Sequence, residues 1–128
     1  MVLRFLGFIF LLFSSGVFSQ DSILGNWQPK GKDAIFKIYE ENGKFYGQLI
    51  GSNNKEEDEK IKEQESIVLL RDLKEESSKT YCCGSFISPK NKKKASASLK
   101  LKDENTIVLK VKKGWFSKSI TWNRIQVN

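Results

Sequence analysis

Gly25-Asn26-Trp27, read together with Thr121-Trp122-Asn123-Arg124 near the other end of the chain, decides the architecture. A Gly-x-Trp on a first strand and an arginine on a last strand describe a barrel whose ends meet. The flat indole of Trp27 covers the floor and the guanidinium of Arg124 stacks on it, with Gly25 and Trp122 completing the closure. A cation over an indole face is worth roughly 0.5–2 kcal/mol, depending on desolvation. The pairing speaks to fold and leaves the activity open.

Working outward, the next segment is a hairpin. Ala34-Ile35-Phe36-Lys37-Ile38-Tyr39-Glu40-Glu41 leads through Asn42-Gly43 into Lys44-Phe45-Tyr46-Gly47-Gln48-Leu49-Ile50. Asn-Gly between alternating runs is the strongest short-range hairpin signal. A two-residue turn fixes the register. It sets Glu41 against Lys44, Tyr39 against Tyr46 and Lys37 against Gln48 on a polar, aromatic-tipped face. It sets Glu40 against Phe45, Ile38 against Gly47 and Phe36 against Leu49 on a mostly apolar face, which should point inward.

The rest of the chain continues in short strands. Ile67 to Lys74 is a strand of ambiguous parity, Glu75 to Ser78 reads as a turn, and Thr80 to Ile87 follows. Ala95, Ala97, Leu99 and Leu101 alternate with Ser96, Ser98, Lys100 and Lys102; Ile107, Leu109 and Val111 repeat the pattern after a turn at Asp103-Glu104-Asn105. The last strand runs from about Ser119 to Val127. Gly51 to Ser66 breaks the alternation: it is highly charged, and holds either one helical turn or none. The expected fold is all-β, a single antiparallel up-and-down barrel of about eight strands.

The first residues read as an export signal rather than as fold. Arg4 supplies a positive start, Phe5 to Phe13 is almost wholly apolar, and Val17-Phe18-Ser19 is a small-residue cleavage site. Residues 1–19 are thus expected to be a signal peptide and 20–128 one barrel domain, with Gln20 at the mature end and a periplasmic or secreted destination. The apolar run is short of the ~20 residues that span a bilayer. Cys82 and Cys83 are adjacent, and in a regular strand they point to opposite faces, so no stabilising intrachain bridge is expected despite the oxidising destination.

Charge is segregated along the chain. The whole protein carries 22 Lys+Arg against 15 Asp+Glu and no histidine. Glu56 to Glu65 holds six acidic residues and two lysines; Lys90 to Lys118 holds ten lysines and two acids. A basic exported protein meets anionic lipid or polymer, or simply carries a soluble lysine-rich face. Export disfavours nucleic acid as a partner.

With these residues in place, the chain resembles the exported bacterial proteins grouped as domain of unknown function 2147. The resemblance rests on Ile23-Leu24-Gly25-Asn26-Trp27, on Asn42 to Ile50, on Gly84-Ser85-Phe86-Ile87-Ser88-Pro89 and on Thr121-Trp122-Asn123-Arg124-Ile125. It implies a lipocalin-like (calycin) barrel. The chain departs from the family pattern at Ile87-Ser88, where Tyr-Asp is usual before the proline, and at Lys92, where glycine is usual in the turn. The short segment Gln28 to Asp33 after the first strand argues against a lipocalin proper, which has a long loop there.

The chemistry available is sparse. Without histidine the usual general base, metal ligand and triad member are missing. The carboxylates of Glu56 to Glu65 lie on one segment, whereas glycoside chemistry needs two walls of a cleft. Asn53, Asn54 and Asp58 lack the spacing of a calcium loop. No enzyme, metal or cofactor is expected. Gly47, Ala95 and Ala97 are small inward residues that leave volume unless bulky neighbours fill it. The candidate lining is Phe36, Ile38, Phe45, Leu69, Phe86, Leu99 and Leu109. If Leu69 and Leu73 face inward, so does Arg71, which would clamp a fatty-acid carboxylate; the other parity puts Arg71 in water. The leading expectation is a non-enzymatic binding protein for a small apolar or amphipathic, lipid-like molecule. The alternative is an envelope-associated protein whose lysine face engages anionic lipid or polymer without an internal ligand. A third reading, inhibition of other proteins through the loops, rests on fold analogy alone.

Overall fold

Eight strands follow one another around a closed antiparallel barrel, each paired to the next and the last to the first. The computed structural model describes residues 22–64 and 67–126. The expected signal peptide, the start of the domain at Gln20 and the strand end at Val127 lie outside the described residues. The strands are β1 (Gly25–Pro29), β2 (Ala34–Glu41), β3 (Lys44–Ser52), β4 (Ile67–Ser77), β5 (Thr80–Ile87), β6 (Lys94–Asp103), β7 (Thr106–Lys113) and β8 (Phe116–Ile125). One helix, α1 (Lys55–Glu63), stands between β3 and β4.

The β2–β3 hairpin has the register that its turn dictates: Tyr39 faces Tyr46, Ile38 faces Gly47 and Phe36 faces Leu49. Asn42 and Gly43 both take positive φ (54° and 81°), as a two-residue hairpin turn of this kind requires. Gly47 does not leave free volume inside. A Cβ there would come within 2.9 Å of Leu70 Cβ, so Leu70 already occupies the space.

β4 departs from a strict period of two. Val68 pairs with Gln48 and Leu70 with Gly47, then Leu73 with Phe45, so β4 spends extra residues at two bulges. The bulges bury Leu69, Leu70 and Leu73 together. They also turn Arg71 and Asp72 outward, with Asp72 at φ 61°. The inward reading of Arg71 is therefore corrected: its side chain is on the exposed face and offers no cation to the interior. β4 also runs on through Glu75 to Ser77, past the expected turn.

β5 bulges against β6. Tyr81 faces Leu99 while Gly84 faces Ala97, so three steps on β5 match two on β6, and Cys83 takes φ 72°. The extra residue breaks the alternation, and Cys82 and Cys83 join in a disulfide. The expectation that these neighbours remain unbridged is corrected. It assumed a regular strand, in which adjacent side chains diverge. Gly84 makes the bulge possible, since a Cβ at that position would clash with the backbone oxygen of Arg71 and press on Leu73.

The charged segment after β3 is more ordered than its composition suggests. Asn54 caps α1 by accepting from the Glu57 amide at 3.0 Å, and Glu56, Glu57 and Asp58 place negative charge at the helix start, where the dipole favours it. Asp58 accepts from the Ser52 amide at 2.9 Å and pairs with Lys62 at 3.0 Å. These contacts hold Asp58 below the ordinary carboxylate range, chiefly through Lys62 and then through the Ser52 amide. Ser52 Oγ donates to Glu57 at 3.1 Å and accepts from the Asn54 amide at 3.0 Å. Gly51 lets the helix start lie this close, because a Cβ would sit 2.7 Å from Asp58 Oδ1. No helix among the described residues is long and apolar enough to cross a membrane.

Candidate functional site: the open end of the barrel

The two ends of the barrel are built differently. At one end lie the Asn42-Gly43 turn, Ser78-Lys79 and Glu104-Asn105; at the other lie the Gly31-Lys32 turn, α1, the β5–β6 loop and the Gly114-Trp115 turn.

The first end is closed. The Arg124 guanidinium lies 4.3 Å over the Trp27 ring. Its Nε donates to Glu104 O at 2.7 Å, Nη1 to Leu24 O at 2.8 Å and Nη2 to Ser22 O at 2.7 Å. One side chain thus ties the β6–β7 turn to the segment entering β1. Burial pushes the Arg124 guanidinium below its ordinary value, opposed by the nearby Glu104 charge. Gly25, at φ +130°, gives it room, since a Cβ there would sit 2.8 Å from Nη1. Trp27 Nε1 donates to Ile23 O at 2.9 Å, and Ile23 is itself fully buried.

The middle is filled. Ile38, Leu70, Leu73, Leu101, Ile107 and Leu109 are all at most 1% exposed, so no open channel runs along the axis at their level. Phe36 stacks on Trp122 with centroids 4.6 Å apart, and Phe45 packs edge-on to Tyr81 at 5.1 Å. Trp122 thus belongs to the packed interior rather than to the Arg124 lid. Among the described residues, no buried side-chain polar atom lacks a partner.

The second end is open. A cavity of about 500 Å³ lies there, lined by Ala34, Phe36, Leu49, Ile61 of α1 and Pro89, and edged by Lys32, Lys60 and Lys90 together with Asp33 and Glu57. A second crevice of about 380 Å³ lies across the β5–β6 loop, lined by Phe86, Ala95, Val111, Phe116 and Ile120 and edged by lysines. The lysines outnumber the carboxylates at this edge, and an apolar floor under such an edge suits a molecule with an apolar body and an anionic head.

The candidate lining residues separate accordingly. Phe36 and Phe86 line the two openings at this end. Ile38, Leu69 and Leu109 are packed in the core. Phe45 borders a pit at the closed end, and Leu99 a crevice beside Tyr81 and Val108. Sequence reasoning placed Leu49 on the inward face without naming it as lining, and missed Ala34, Ile61 and the edge lysines. Ile61 carried a signal, being the one apolar residue of Lys55–Glu63.

Comparison with known proteins agrees with this architecture. No curated protein matches the chain. Among solved structures it is similar to protein HP1028 from Helicobacter pylori, described as belonging to the lipocalin family, with a TM-score of 0.65 at 20% identity, covering 82% of this chain and 84% of that one. That likeness is one of fold. Residues 25–124 match the family described as an uncharacterized protein conserved in bacteria, DUF2147. The match spans every strand from the Gly25 that opens β1 to the Arg124 that closes the barrel, and the chain belongs to the DUF2147 family.

Proposed function

We propose that the protein is an exported, non-enzymatic barrel that takes a small amphipathic molecule, fatty-acid-like in having an apolar body and an acidic head, into its open end. The observation that carries this reading is the cavity of about 500 Å³ with Phe36, Leu49 and Ile61 as its apolar wall and Lys32, Lys60 and Lys90 at its edge. Its size is in the range of small-molecule sites, roughly 300–1,000 Å³. The lipocalin-like fold supports binding of a small molecule in general. The edge lysines take over the role that Arg71 would have had as an inward cation.

Export is supported by Arg4, the apolar run Phe5 to Phe13 and the small-residue site at Ser19, and by a disulfide of the kind that persists in oxidising compartments. The intact mass of protein recovered from its own host should correspond to a chain starting at Gln20.

The binding test uses a naturally fluorescent fatty acid titrated into the protein and displaced by a saturated one. Leu49→Glu places a carboxylate in the apolar wall and should weaken the probe at least ten-fold. Arg71→Met should leave it unchanged. A protein that fails to bind the probe, or a Leu49→Glu variant that binds it as well as the parent, would remove the reading.

A further inference from the structure

The β7–β8 turn carries a feature that the internal cavity does not use. Trp115 is 94% exposed and Phe116 55% exposed, side by side at the tip of a hairpin. Their rings pack edge-on at 6.4 Å, so the tip presents a joined aromatic surface. A large apolar pair held in water marks an interaction site more often than a single stray side chain does.

The surroundings of the tip specify the partner's charge. From Asn105 to Asn128 there is no aspartate or glutamate, while Lys110, Lys112, Lys113 and Lys118 flank the tip on its two strands. All four are exposed, and among the described residues the one ion pair is that between Asp58 and Lys62, far from this hairpin in sequence. Their charge is therefore free to act on something outside the molecule. A shallow trough of about 520 Å³ runs over the outer face of the barrel up to Gly114. Ser85 and Ser96 line it beside Lys94, Lys112 and Lys113, with Asp72 as its one carboxylate, so hydroxyls and an excess of ammonium groups converge where an anionic headgroup would sit.

We infer that the β7–β8 tip docks the protein on a bilayer containing anionic phospholipid. Trp115 and Phe116 enter the headgroup layer, and Lys112, Lys113 and Lys118 meet the lipid phosphates. Tryptophan favours that layer because its ring is apolar and its N–H finds a polar partner there. Lysines near an anionic surface raise partitioning by about five-fold each. Phe116 also lines the crevice with Phe86, Val111 and Ile120, so the docked tip lies next to the open end of the barrel. Docking stands on the tip and its lysines and does not require that the cavity hold a ligand.

The test measures partitioning of the full mature protein onto vesicles of phosphatidylcholine with about one-third phosphatidylglycerol, beside vesicles of phosphatidylcholine alone. Tryptophan emission is read in the same samples. Trp27 and Trp122 are buried and give a constant background, so a blue shift and quenching by lipids brominated near the headgroup report Trp115. Binding is expected to the anionic vesicles, to weaken at high salt, and to be nearly absent on phosphatidylcholine. Trp115→Ser with Phe116→Ser should lower partitioning at least ten-fold and abolish the shift. Lys112→Glu with Lys113→Glu should lower partitioning by a similar factor. All four positions are exposed, and an unchanged melting temperature verifies the fold of each variant.

Failure to bind anionic vesicles at low salt overturns the inference. Equal binding to both vesicle types does so as well, as does binding that the aromatic substitutions leave intact. Binding to a soluble polyanion such as heparin without any emission change would make the face a polymer site instead. A dimer that forms without lipid and is lost with Trp115→Ser would make the tip a contact between two copies.

Discussion

Arg124 shows how much architecture one side chain can carry. It stacks on Trp27 and donates to three carbonyl oxygens on two separate segments. Hydrogen bonds to a charged group contribute about 1.5–3 kcal/mol each where water is excluded and less where it is not. Arg124 is half-buried. Arg124→Ala should therefore cost about 2–4 kcal/mol, a fall in Tm of the order of 10 °C or more for a domain of this size. Arg124→Lys keeps the cation but not the fork, and should recover less than half of the loss. Full recovery by lysine would mean that charge over the ring is all that matters. Gly25→Ala places a Cβ against Nη1 at a φ of +130°, so it attacks the same contact. The two substitutions combined should cost clearly less than the sum of their separate effects in a double-mutant cycle.

The Cys82–Cys83 disulfide sits at the opposite extreme. It closes a ring between neighbours, so it removes little freedom from the unfolded chain. Reduction should lower Tm by no more than about 2 °C, unlike the loss of a bridge that closes a long loop. A drop of 10 °C would show that the bridge holds the β5 bulge in place. Alkylation without a reductant should label neither cysteine.

At the scale of elements, α1 is fastened to β3 by polar contacts rather than by a buried face, since none of its residues is buried. The carboxylate of Asp58 is the centre of that attachment. Its value in the folded protein lies below the ordinary 3.8, so the attachment is fully present above that pH and is lost as pH falls through the lower folded value. Once the pH is below that folded value the helix should detach while the barrel persists. Exchange of the Ser52 amide reads this directly: its protection should fall in acid, and at neutral pH in Asp58→Ala. Protection that stays constant down to the acid unfolding of the barrel would mean that the helix is held otherwise.

The elements also show where sequence reading succeeds and where it stops. The β2–β3 register followed from Asn42-Gly43 and strict alternation, and every pair of that reading is present. The same rule failed on β4 and β5, because a bulge shifts parity without altering composition. The cues were local. Leu69-Leu70 is an apolar doublet in an alternating strand, Asp72 tolerates positive φ, and Cys82-Cys83-Gly84 ends in a residue with no Cβ. The open end was hidden for a different reason. Its lining comes from β2, β3, α1 and the β5–β6 loop, which only barrel closure brings together. Trp115 and Phe116 lay in plain view as aromatic residues beside a glycine in a lysine-rich hairpin. Alternation had no use for them, since Trp115 belongs to a turn and Phe116 only opens β8.

At the scale of the whole molecule, the barrel is stoppered at one end, filled in the middle and open at the other, and this division is itself testable. Leu101 is 1% exposed in the packed interior, whereas Leu49 is only partly buried and lines the open cavity. Leu101→Ala should cost about 2–5 kcal/mol of stability by leaving a cavity in a close-packed region. It should leave fatty-acid affinity within about two-fold, less than 0.5 kcal/mol, because the proposed site does not include Leu101. Leu49→Glu should do the reverse, weakening the ligand at least ten-fold while moving Tm by only a few degrees. A ligand at a hundred times its Kd adds about 2.7 kcal/mol to the stability of the parent, so the same thermal scans read both effects. A ligand that occupied the barrel axis, as in a hollow carrier, would make Leu101→Ala change affinity strongly in one direction or the other. The stack of Phe36 on Trp122 argues against that geometry, because Phe36 lines the open cavity and the buried Trp122 packs against it without lining the cavity. Binding and stability should therefore separate by depth along the barrel, with the Phe36–Trp122 stack as the boundary between them.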